Sequence, residues 1–188
     1  MWRRSRGMRR RAMGVLLAAA LGFACGGCDK ALPTAPQDPI QAELDVASAA
    51  TVRYQDVSVA LAEGFIADPF CVSSPAGAMG IHYVNPQRID GRVTAGEPEV
   101  LLYIPEDGRL RLVAIEYFLP VLQDGRPYFG ATPPGDPGTT PALFGQPFDG
   151  PMAGHNPSMP WHFDLHVWNR QSNSAGLFAP FNPDLRCP

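Results

Sequence analysis

Four histidines occur in the chain, and three of them each follow a methionine by three residues: Met79 and His82, Met152 and His155, Met159 and His162. The fourth, His166, completes the run Trp161-His162-Phe163-Asp164-Leu165-His166-Val167-Trp168, in which strand alternation places His162, Asp164 and His166 on one face. Thioether sulfur is a soft ligand suited to Cu(I), and imidazole suits copper, zinc and iron. The set therefore points to a metal centre that leans to copper, with zinc as the other candidate. The competing assignment makes the methionines fillers of an irregular core and the histidines satisfied core donors.

Glu116 joins the candidates because alternation along Leu110, Leu112, Ala114, Glu116 and Phe118 puts one carboxylate on an otherwise apolar face. A buried charge requires a partner. Glu116 is either a ligand or the acceptor of a histidine N–H, or it pairs with an arginine such as Arg111 or Arg170. Asp164 divides in the same way, between ligating or orienting an imidazole and an ion pair with an arginine. Residues four apart on a strand are separated by about 13 Å, so His162 and His166 are poor partners on one ion. The expected set takes one of them with His82, Glu116 and either His155 or a methionine.

Three functions fit these residues. One is a cell-envelope or secreted metal-binding protein that holds or passes copper. A second is a metal-dependent, hydrolase-like enzyme, in which an open coordination position activates water with Glu116 or Asp164 as base. The third is a metal-free module whose aromatic side chains line a pocket for an apolar ligand. Serine catalysis of the Gly-x-Ser-x-Gly kind, a P-loop, a dinucleotide fingerprint and a Cys-x-x-Cys-His haem site all lack their motifs in this sequence.

The elements that must position these groups are legible in outline. Apolar residues recur at helical spacing from Leu44 to Phe65, which predicts one amphipathic helix, with Ser48 placed to cap its start and Gly64 its end. Strands are expected at 80–84, 100–104, 109–119 and 162–167, with a further candidate at 176–180. Pro105-Glu106-Asp107-Gly108 joins the second and third as a hairpin turn. Between Pro120 and Pro160 prolines and glycines exclude long helices and central strands, yet Phe129, Phe144 and Phe148 give that segment anchors enough to fold over a sheet. The fold expected is α+β: one N-terminal amphipathic helix on an antiparallel sheet with a long Pro/Gly-rich loop. An all-β sandwich or barrel is the alternative.

The ends place the domain in the cell. Arginines at 3, 4, 6, 9, 10 and 11 precede an apolar run from Ala12 to Ala24 and then Cys25-Gly26-Gly27-Cys28, the form of an export signal over residues 1–28. The apolar run falls short of the roughly 20 residues that a spanning helix needs. Small residues before Cys25 and Cys28 resemble a bacterial lipoprotein cleavage site, so either cysteine is a candidate for lipidation and the membrane is reached through that anchor alone. Residues 29–45 read as a tether and 46–188 as a single globular domain. Nine basic residues remain after Cys28 against eighteen acidic ones, a balance that disfavours nucleic acid and favours a metal ion or small molecule as partner. Cys71 and Cys187, in an exported chain, are expected to form a disulfide.

The segments GAMGIHYVNP, PEVLLYIP, LVAIEYFLP, FGQPFDGPMAGHNP, MPWHFDLHVW and LFAPFNPDLRC together resemble a group of uncharacterised exported bacterial proteins. The resemblance runs from about Thr51 to Cys187. It implies export and a single domain, and it carries no activity, ligand or catalytic residue.

Overall fold

A computed structural model describes residues 38–188 except Asn156. The leader, Cys25, Cys28 and most of the expected tether lie outside the described residues. The first helix, α1, spans Pro39–Thr51 and therefore begins inside the segment read as tether. Its start is chemically defined: the side chain of Asp38 accepts a hydrogen bond from the Ile40 N–H at 3.0 Å, and Pro39 occupies a first-turn position where no N–H is needed. Ser48 is interior to this helix and caps nothing.

The single helix expected over 44–65 is in fact divided. After α1 the chain tightens into a 3-10 turn at Val52–Gln55, and a second helix, α2, runs from Val57 to Ala62. Asp56 causes the break: it is extended, at φ −92° and ψ 105°, and its carboxylate accepts from the Ser58 N–H as a new N-cap. Gly64, at φ 92°, then turns the chain into the sheet.

The strands that follow are β1 (Ile66–Ser74), β2 (Gly77–Val84), β3 (Val100–Glu106), β4 (Arg109–Pro120), the short β5 (Leu122–Gln123), β6 (Arg126–Pro127), β7 (Ala142–Leu143) and β8 (Gln146–Pro147), then β9 (Asp149–Met152) and β10 (His162–Val167). Six of them form one antiparallel sheet in the order β1-β2-β3-β4-β10-β9. The fold is α+β, with a curled sheet as its main component, and the all-β alternative is set aside by α1 and α2. Asp107 and Gly108 alone connect β3 to β4, both at positive φ, as a two-residue type I′ hairpin requires. Residues 176–180, expected as a strand, are turns, and their neighbour Asn182 instead bridges to Ala78 on β2.

The two sheet faces bury different things. Leu101, Tyr103, Ile115, Tyr117, Phe163, Leu165 and Val167 pack with Ala47, Tyr54 and Ala60 of the helical segment and with Phe144 and Phe148 of the long loop. Glu43 of α1 fastens that loop by accepting from the Phe144 N–H at 3.1 Å. The opposite face carries Val100, Leu102, Ala114 and Phe118, and alternation assigns it His82, Glu116, His162, Asp164 and His166 as well. Cys71 on β1 and Cys187 form a disulfide that ties the C-terminal tail to the sheet edge.

Candidate metal centre

Register places the candidate ligands. On β10 and β4, His166 lies opposite Glu116, Asp164 opposite Phe118 and His162 opposite Pro120. Glu116 also lies opposite Val100 of β3, and His82 lies opposite Leu102 of that same strand, so His82 meets Glu116 diagonally across β3. His82 Nε2 is 3.3 Å from Glu116 Oε2, and His166 Nε2 is 3.8 Å from the same oxygen. Among the described residues, these three form the group whose ligand atoms all lie within 4.8 Å of one another. The array continues through Asp164, which is 3.5 Å from His162 Nε2 and 4.0 Å from His166 Nδ1.

All five side chains are buried. Eight of their nitrogen and oxygen atoms make no hydrogen bond: His82 Nε2, both Glu116 oxygens, His162 Nε2, both Asp164 oxygens and both His166 nitrogens. Each such buried group costs about 1–3 kcal/mol when left unsatisfied. Several of these atoms face one another as ion pairs, so the cost falls wherever a positive charge is shared between them. Protons or a cation shared between the facing groups would lower it further.

His162 shows the preference most directly. Its Nδ1 lies 2.9 Å from the carbonyl oxygen of Pro160, which only accepts, so Nδ1 carries the proton and the neutral ring presents a bare lone pair at Nε2. That lone pair faces a carboxylate oxygen of Asp164. Two acceptors so placed need a proton or a metal ion between them, and a backbone carbonyl on the far nitrogen is how metal-bound imidazoles are commonly held. Phe118 stacks on the same ring, with centroids 4.6 Å apart.

The electrostatics favour positive charge at this array, carried by protons or by a cation. Burial is the largest influence on the His82 imidazole and pulls it down, but Glu116, Asp68 and Asp164 together outweigh it and the net direction is up. His162 is also raised, burial being overcome by Asp164 and the Pro160 carbonyl. Burial would raise Glu116, yet the charges of His166 and His82 hold it well below the usual carboxylate range. Asp149, opposite Asp164 on β9, is pushed up by burial and by that neighbouring carboxylate. A site that crowds carboxylates in this way attracts cations.

Neither carboxylate meets the arginine named as its alternative partner. Arg111 binds Glu106 and Gln171, and Arg170 binds the Ser48 carbonyl and Thr51. His155 borders the buried array from the solvent side: it is exposed on the long loop, with its ring 6.0 Å from that of His82 and 6.1 Å from that of His162. Of the methionines, Met152 lies directly opposite His162 on β9, and Met159 Sδ accepts from the His155 N–H at 3.4 Å. Met79 lies at a slip in the β1–β2 register, about 10 Å along β2 from His82. Sequence reasoning missed Asp149, whose only signal was its place beside Gly150-Pro151 at the end of the loop.

No protein-family model, no curated protein and no solved structure matches this chain.

Proposed function

We propose that this chain is an exported metal-binding protein in which His82, Glu116 and His166 hold one transition-metal ion, with Asp164 orienting His166 and His162 beside it. The observation that carries this reading is the convergence of eight buried, unbonded nitrogen and oxygen atoms from three strands. Two imidazoles and a carboxylate form the donor set of catalytic zinc and non-haem iron sites, where three protein ligands leave further positions open. A metal-dependent reaction on a molecule that reaches the ion is therefore the role this geometry supports best.

A copper-holding role is the second reading, and Met152 is the residue that favours it. The residue lies on β9 opposite His162, and its thioether would supply the soft ligand that Cu(I) prefers.

Elemental analysis of the full chain, purified from a host that exports it, tests both. Near-stoichiometric zinc or iron that is lost in His82→Ala and His166→Ala supports the first reading. Copper lost in Met152→Leu supports the second. Protein that is isolated without metal and takes up none of Zn(II), Fe(II), Cu(I) or Cu(II) overturns both.

A further inference from the structure

A groove with a cavity volume of about 720 Å³ opens beside the histidines, and His82 is part of its wall. Its remaining lining is mostly apolar: Val84, Val100 and Phe118 from the sheet, Phe70 from β1, and Phe129 and Met159 from the long loop. At its mouth Ile66, Phe70 and Phe129 are 62%, 65% and 57% exposed, an unusual cost for large apolar side chains gathered in one place. The ionisable groups that reach this space are Asp68, His82 and His155, and the two imidazoles form one corner of it. Volumes of this order suit drug-sized ligands, and such pockets join an apolar wall to a few polar groups that fix orientation.

We propose that the groove binds a compact apolar molecule, aromatic or alicyclic, whose single oxygen-bearing head points to the corner formed by His82 and His155. This rests on the metal reading for the identity of what the head meets, since the ion would lie directly behind His82. The charge pattern constrains the head further. Three carboxylates surround this corner, Asp68 in the groove wall and Glu116 and Asp164 in the buried array behind His82, so a neutral head is favoured over an anionic one unless a metal cation is present. A carboxylate-bearing ligand then depends on the ion, and an alcohol or phenol depends on it less.

The test uses 2-naphthol and 2-naphthoate as probes, titrated into zinc-loaded and chelator-treated full chain, with metal content measured on the same samples. Saturable binding of 2-naphthol is expected to weaken about tenfold or more in Phe70→Ser with Phe129→Ser, at unchanged metal content. That change matches the loss of buried aromatic surface at two exposed positions whose replacement spares the core. Removal of the ion is expected to weaken 2-naphthoate at least tenfold more than 2-naphthol. Absence of saturable binding, or binding indifferent to both substitutions, overturns the groove. A chain that takes no metal fails the preceding reading alone, and 2-naphthol binding that still depends on Phe70 and Phe129 then supports the groove as a metal-free site.

Discussion

Nε2 of His82 lies 3.3 Å from Oε2 of Glu116 even though β3 runs between their strands. Both side chains stand on the same face as Val100 and Leu102, the β3 residues opposite them, and reach towards each other over that strand. The contact therefore depends on the alignment of three strands. It exists only when β2, β3 and β4 are all in register.

If Glu116 is a ligand, its loss should be visible in stability as well as in binding. A metal ion at a hundred times its dissociation constant stabilises the folded state by about 2.7 kcal/mol, which for a domain of this size raises Tm by roughly 5–10 °C. Differential scanning fluorimetry is expected to show that rise when Zn(II) is added to the wild type and its reversal by chelator. Glu116→Gln should show almost none. An equal rise in both proteins would remove Glu116 from the ligand set.

Glu99 offers a separate, pH-dependent test on the helix side of the sheet. The residue is 1% exposed, its Oε2 accepts from the Phe118 N–H at 3.0 Å, and burial pushes its carboxyl up to about 8 from an ordinary 4.5. Glu116 adds to that rise, while the Phe118 N–H and Arg88 oppose it. The folded protein thus keeps a proton that the unfolded chain releases, so this contribution is full below about pH 4.5 and is lost as pH rises towards 8. Each unit of such a difference is worth about 1.4 kcal/mol. Urea denaturation should show Glu99→Gln gaining several kcal/mol on the wild type between pH 5 and pH 8. A constant difference across that range would mean that Glu99 is ionised throughout.

The Cys71–Cys187 bridge closes a loop of sequence separation 116. In the chain-entropy model a closure of that length contributes about 4 to 5 kcal/mol. Guanidinium denaturation of Cys187→Ser should show most of that loss, and reduced wild type should fall to the same level. A loss under about 1 kcal/mol would mean that the tail is held by its other contacts, such as the bridge between Ala78 and Asn182.

Much of this arrangement was legible in the residues themselves. β10 alternates so strictly that both its type and its polar face could be read directly, and Asp107-Gly108 announced the β3–β4 hairpin. The edge strand β1 was missed because Pro69 and a slipped register erase its alternation. The helical segment was read as one piece because periodicity does not register a cap, and Asp56 interrupts the helix without changing its apolar spacing. At the site, the individual ligands were legible but their grouping was not. Spacing along β10 separates His162 from His166, yet only the pairing of β10 with β4, which sets His166 opposite Glu116, decides that His166 is the one to join His82 and Glu116. The Met-x-x-His recurrence spans β2, the segment from β9 into the long loop, and the entry to β10, and the rings of His82 and His162 each lie about 6 Å from that of His155.

β10 also divides its residues between two kinds of failure. Phe163, Leu165 and Val167 hold the helix side together, while His162, Asp164 and His166 alternate with them on the other side. Saturation mutagenesis of these six codons, scored once for cellular abundance and once for bound metal, should yield a comb. The odd positions would lower abundance, and the even positions would keep the protein but empty it.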